Sequence, residues 1–139
     1  MPIIGHQITK ILCKRGDPET GLDIRANVEI TNVQKKDVVI AGDKKPVLDF
    51  EFEFTVQYGK KAGGINITGI LVHSAAEKEL DSLAKEWKKN KKLEADVVVD
   101  ILNRAMELGF IEAIPLAERL RLPPPLRLPR AVKSDAKKQ

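Results

Sequence analysis

Leu48-Asp49-Phe50-Glu51-Phe52-Glu53-Phe54-Thr55-Val56-Gln57-Tyr58 alternates apolar and polar residues without a break. Successive side chains of a β-strand point to opposite faces, so this stretch carries one wholly apolar face and one polar face. A strand of that kind needs a sheet with one side buried and one side wet.

Three further runs supply the rest of the sheet. Leu22, Ile24, Ala26, Val28 and Ile30 alternate with Asp23, Arg25, Asn27, Glu29 and Thr31. Gly64 to His73 places Ile65, Ile67 and Leu71 on one face, with Ile70 and Val72 on the other. Ile3 to Lys14 has apolar residues on both faces. Gly16-Asp17-Pro18 and Gly21 separate the first two runs, and Gly59 to Gly64 reads as a hairpin connection. Asn32 to Pro46 reads as a long connection with a short or bulged strand at Val38-Val39-Ile40, and Pro46 is expected at a strand start.

Beyond residue 73 the period changes from two to 3.6. Ser74-Ala75-Ala76-Glu77 fits a capping box with Ser74 as N-cap. Ala76, Leu80, Leu83, Ala84 and Trp87 then form a narrow apolar stripe, with Asp81 and Lys85 one turn apart. Lys88-Lys89-Asn90-Lys91-Lys92 suits a helix C-terminus. A second helix is expected from Glu94 to Leu108, stopping at Gly109. At about 100° per residue its apolar side chains, from Val97 to Leu108, cover roughly 200°. One sheet face cannot shield that arc, so a second neighbour is expected, either the C-terminal arm or another subunit. Val97, Val98, Ile101, Leu102 and Met106 are the candidate interface. The segment from Phe110 to Arg130 reads as an extended, leucine-rich arm with a polyproline stretch at Pro123-Pro124-Pro125. The fold class is therefore α+β: a four-stranded antiparallel sheet, two C-terminal helices on one face and an extended arm. Residues 1–130 form one domain, and Ala131 to Gln139 is a Lys-rich tail without expected order.

Composition bounds the function. The chain has 139 residues, 24 Lys+Arg against 20 Asp+Glu, and a formal charge of +4. No apolar run reaches the ~18 residues of a membrane span. The opening Met1-Pro2-Ile3-Ile4-Gly5-His6 has no signal-peptide pattern, and the single Cys13 fits a reducing cytoplasm. Catalytic patterns are thin. Asp96 and Asp100 lie one turn apart with no third ligand nearby, and an Asp100 to Arg104 ion pair is the simpler expectation. His73 and Ser74 are sequence neighbours at a strand-to-helix junction, where side chains rarely face each other. His6 reads as an ordinary strand histidine, and Cys13 as a structural one. The Gly59 to Gly64 segment lacks the Lys-Ser/Thr ending of a phosphate loop. No enzyme, metal or cofactor is expected.

The order of elements resembles SecB, the protein-export chaperone family, and more closely its small archaeal relatives. The resemblance rests on Leu48 to Tyr58, the Gly59-Lys60-Lys61 hairpin, Gly63-Gly64-Ile65-Asn66-Ile67-Thr68-Gly69-Ile70, and Ile101 to Phe110. It implies a sheet that pairs with a second subunit and an oligomer whose apolar grooves hold non-native polypeptide. It does not carry motor docking. SecB uses outward carboxylates on the strand after the hairpin, where this chain has Asn66 and Thr68; here the acidic stripe is Asp49, Glu51 and Glu53.

The leading expectation is a non-enzymatic, chaperone-like or peptide-binding homo-oligomer, a dimer or tetramer, with unfolded polypeptide as partner. Trp87, Phe110, Leu116, Leu120, Leu122 and Leu126 are the candidate contacts. An adaptor that uses its apolar arc entirely in self-association is the second reading. The third is RNA binding through Lys88 to Lys92 and the Arg-rich arm. Against it, the acidic stripe repels phosphate, and neither a nucleic acid nor a membrane is the expected partner.

Overall fold

The computed structural model describes residues 3–126. The chain runs β1 (Ile3–Arg15), β2 (Ile24–Ile40), β3 (Asp43–Tyr58), β4 (Gly63–His73), α1 (Glu77–Asn90) and α2 (Ala95–Arg119). All strand pairs are antiparallel, in the order β1-β4-β3-β2. The domain limit at 130 and the tail 131–139 lie outside the described residues.

The period-two strand sits in the middle of the sheet. Leu48, Phe50, Phe52, Phe54, Val56 and Tyr58 are all fully buried on the helix side. Opposite them on β4 lie His73, Leu71, Gly69, Ile67, Ile65 and Gly63. Both helices pack on this one face, α1 over β2 and β3, and α2 across β2, β3 and β4. Lys35 ties α1 to the sheet. From the helix-side face of β2 it donates to Asp81 Oδ1 at 2.7 Å and Glu77 Oε1 at 3.3 Å. Asp81 therefore serves Lys35, whereas a pairing with Lys85 was expected.

The expected connection from Asn32 to Pro46 is instead the distal half of one long hairpin. Ile40 faces Asp43 across a two-residue turn at Ala41-Gly42. Both turn residues have positive φ, 52° and 84°, the primed-turn geometry that matches strand twist. An Ala at the first position hides this turn from a search for Asn-Gly or Asp-Gly. Pro46 lies inside β3 rather than at its start, and pairs with Asp37. It is tolerated there because β4 joins β3 only from Leu48, leaving that flank of β3 without a ladder.

Both helices start or stop away from their expected ends. The first helical bonds go from the Glu79 and Leu80 amides to the Ala76 carbonyl, so Ala76 is the N-cap and Ser74 lies too early to cap. The second helix continues through Gly109 and Pro115 to Arg119. Phe110 and Leu116 are thus helical, and the extended arm begins only after residue 119. Gly109 is a packing residue: a Cβ there would overlap the Phe54 ring carbons. The helix is closed by Arg121 in the left-handed region, φ 56°. Its amide donates to Glu118 O at 3.1 Å, and the Leu122 amide donates to Ala117 O at 2.8 Å. This two-bond C-terminal stop usually has Gly where Arg121 stands. Arg104 pairs with Glu107 at 3.5 Å, not with Asp100 as expected.

Two substitutions test this account by urea denaturation. Helix propensity alone predicts that Gly109→Ala stabilises by about 1 kcal/mol. Overlap with Phe54 predicts the opposite sign, a loss of about 1–3 kcal/mol. Arg121→Gly relieves a left-handed residue and is expected to raise stability by roughly 0.5–1 kcal/mol, because the bonds around it are made by backbone atoms.

Candidate functional site

The buried side of α2 follows a spacing of four: Val97, Ile101, Ala105, Gly109, Ala113 and Ala117. Such a row is inclined to the helix axis. The neighbouring row, Val98, Leu102, Met106, Phe110 and Ile114, is only partly covered, and Met106 is 40% exposed. Val99 and Ile111, farther from the sheet, are 55% and 61% exposed. The protomer therefore buries one row of the wide apolar arc and leaves the next half open.

That half-open row forms a wall of a groove. Val28 and Ile30 of edge strand β2 line one side, Val98 and Leu102 of α2 the other, with Trp87 and Leu93 between them. The volume is about 380 Å³, within the range of small-ligand pockets. Lys91, Lys92 and Glu29 complete the lining. Trp87 is 8% exposed, its indole N–H has no acceptor, and Lys91 Nζ stands 5.5 Å from its ring centroid.

The expected site residues divide by location. Trp87, Val98 and Leu102 line the groove. Phe110 packs edge-on against Phe54 at 5.0 Å between ring centroids. Val97 and Ile101 belong to the core, while Leu116 and Leu120 pack partly buried against it. Leu122 is also core, 9% exposed. Leu126 lines a separate cavity with Leu22, Ile24, Pro124 and Pro125. The groove members that sequence reading had not singled out are Val28, Ile30 and Leu93. Val28 and Ile30 alternate like core-face strand residues, and no sequence signal marks a strand edge that the helix layer leaves uncovered.

None of the described arm residues, 120–126, lines the groove. This part of the arm is tied to the far end of the sheet. Arg15 Nη1 donates to Leu120 O at 2.9 Å and Arg121 O at 2.7 Å, and Tyr58 Oη donates to Pro123 O at 2.7 Å. Burial pushes the Tyr58 pKa up to about 12, so the phenol remains a donor. Nearby, Glu19 Oε2 accepts from the backbone amides of Lys60, Lys61 and Ala62 at 2.7–2.9 Å. Those bonds, the one to Lys61 foremost, hold its pKa below the usual carboxylate value. A cavity of about 450 Å³ adjoins this loop cluster and includes Arg25 and Lys60 in its lining.

His73 is 1% exposed, stacks edge-on to Phe50 at 5.6 Å, and leaves both ring nitrogens without a partner. Among the described residues no three His, Cys, Asp or Glu side chains cluster as metal ligands, and no helix is long and apolar enough to cross a membrane. On the outer face the acidic stripe is matched locally. Thr31 Oγ1 donates to Glu51 at 2.9 Å, Asn66 Nδ2 to Glu53 at 3.1 Å, and Lys36 pairs with Asp49 at 3.3 Å.

The sequence matches no protein-family model and no curated protein. A solved structure does match. It is a SecB-like chaperone of Mycobacterium tuberculosis, Rv1957, in complex with a ChAD peptide from the Rv1956 HigA1 antitoxin. The TM-score is 0.51 at 14% identity, covering 96% of this chain and 92% of that one. The fold is SecB-like, α+β, with a four-stranded antiparallel sheet and two helices.

His73 gives this fold an acid-sensitive point. Burial, the dominant cause, lowers its pKa, and Glu79 and Asp100 oppose the shift. A depressed histidine contributes stability that is complete above the unfolded value, 6.5, and is lost as pH falls from there. His73→Leu is expected to be at least as stable as the parent at pH 7.5. Between pH 7.5 and 5.5 the parent should lose up to about 1.4 kcal/mol relative to the variant, read from urea midpoints.

Proposed function

We propose that this chain is a non-enzymatic, chaperone-like module that binds polypeptide and works as a homo-oligomer in the cytoplasm. The observation that carries the reading is the apolar groove of Val28, Ile30, Trp87, Leu93, Val98 and Leu102, left open beside edge strand β2. Among the described residues β2 has no strand partner on its outer side, so backbone groups of this edge run along the sheet border next to the groove. A segment in extended conformation gains main-chain bonds at such an edge and buries alternate side chains in an adjoining pocket.

The likeness to a SecB-like chaperone in complex with a peptide supports the same reading, at the level of fold. The closer kinship to small archaeal SecB-like proteins belongs to this proposal. Phe110 and Met106 continue the row from Leu102 along α2, and in this reading they extend the contact surface beyond the groove. The opposite sheet edge is the proposed subunit contact. β1 has no strand on its far side. It exposes Ile4, Ile11 and Leu12 at 46%, 44% and 60%, a pattern that natural edge strands avoid unless they are paired. Val97 and Ile101 support this assembly from inside the core rather than across it.

The test is aggregation of a reduced, unfolded client followed by light scattering. A stoichiometric amount of the protein is expected to slow aggregation severalfold, and Leu102→Lys to remove most of that effect while leaving the fold intact by circular dichroism. Equal aggregation with and without the parent protein overturns the reading. Size-exclusion with light scattering is expected to give a mass above one chain.

A further inference from the structure

We infer that the groove beside Trp87 selects acidic–apolar polypeptide, segments in which carboxylates flank large apolar side chains; this rests on the peptide-binding reading above.

Lys35, Lys36, Arg25 and Arg104 each pair with a carboxylate of this chain. Lys88, Lys89, Lys91 and Lys92 form no ion pair among the described residues. These four cations occupy five consecutive positions where α1 ends and the chain turns into α2. Lys91 and Lys92 line the groove directly. Lys88 and Lys89 complement the negative end of α1. Lys91 is the C-cap of α1 and Lys92 follows it, so both also stand near the negative end of that helix. Lys91, at φ 55°, turns the chain and keeps its ammonium over the Trp87 ring.

The rest of the border adds to the same sign. α2 starts at Ala95 after Glu94, with no side-chain cap bond, so part of the positive end of its first turn is left to the carboxylates of Glu94 and Asp96 and to whatever occupies the groove. Glu29 is the one carboxylate in the groove lining. A floor of aliphatic side chains and an indole, bordered by unpaired ammonium groups, complements a chain that brings its own carboxylates. A lysine-bearing segment would instead meet like charge at the border of a low-dielectric surface. The outer face of the sheet shows the converse, since its carboxylates are bonded to Thr31, Asn66 and Lys36 and make no comparable demand.

The test uses the full chain and three synthetic peptides with identical Leu and Phe positions and Glu, Gln or Lys between them. Trp87 is the only tryptophan, so its fluorescence reports groove occupancy, with calorimetry as a check. The Glu peptide is expected to bind on the order of tenfold tighter than the Lys peptide at low ionic strength. That preference should collapse near 1 M salt, where screening is complete within about 3 Å. Lys91→Glu/Lys92→Glu is expected to reverse the order while retaining the Gln peptide. Lys92→Glu alone, which spares the left-handed Lys91, should narrow it. Equal affinity for the three peptides overturns the acidic preference and leaves the peptide-binding reading standing. An acidic preference that survives in the double variant also overturns the assignment to this border. Failure of all three peptides to bind overturns the proposal together with the reading it rests on.

Discussion

The contact between the Phe54 ring and the backbone of Gly109 governs the shape of this molecule. Without a Cβ at residue 109, α2 lies close on the sheet, and Phe110 then meets Phe54 edge-on. Ala105, Ala113 and Ala117 keep the same close approach on either side. Because the buried row repeats every four residues, it is inclined to the helix axis, and the helix runs across β2, β3 and β4 rather than along one strand. The next apolar row is left beside the sheet, with Val98 and Leu102 facing the β2 side. The groove is a consequence of that geometry, and no residue in it needs to be special in type.

Charge is distributed with a similar logic. Carboxylates on the outer sheet face are answered by neighbours on adjacent strands. Lys35 is answered by α1, and its pair with Asp81 raises its pKa. Four lysines without an ion pair among the described residues stand at the α1–α2 turn, beside the groove. Near-neutral overall composition conceals this asymmetry, since +4 over 139 residues says little about any one patch.

The arm shows why apolar content alone does not identify a binding surface. Its leucines are numerous, yet the described part is held by Arg15, by Tyr58 and by the packing of Leu122 and Pro125. Those contacts close the end of the sheet opposite the two-residue hairpin turn, and the Glu19 bonds fasten the β1–β2 loop to the same end. The described part of the arm therefore completes the core at one end.

The alternation from Leu48 to Tyr58 determined the central strand, its buried face and the side on which the helices lie, because a period of two has one structural meaning when six apolar residues share it. The wide arc from Val97 to Leu108 likewise announced a helix with more apolar surface than a sheet can cover. Tertiary structure decided the rest. Local rules read Gly109 as a helix stop and Ser74 as a cap. The ring of Phe54 makes Gly109 a packing position instead, and the length of β4 and its exit into α1 leave Ser74 without a helix end to cap. A glycine is compatible with both a helix end and a close approach, and only the neighbour 55 positions away in sequence distinguishes them. The groove was illegible for the same reason: Val28 and Ile30 become a groove wall because the helix layer covers them only in part, and a sequence lists what is present without showing what stands beside it.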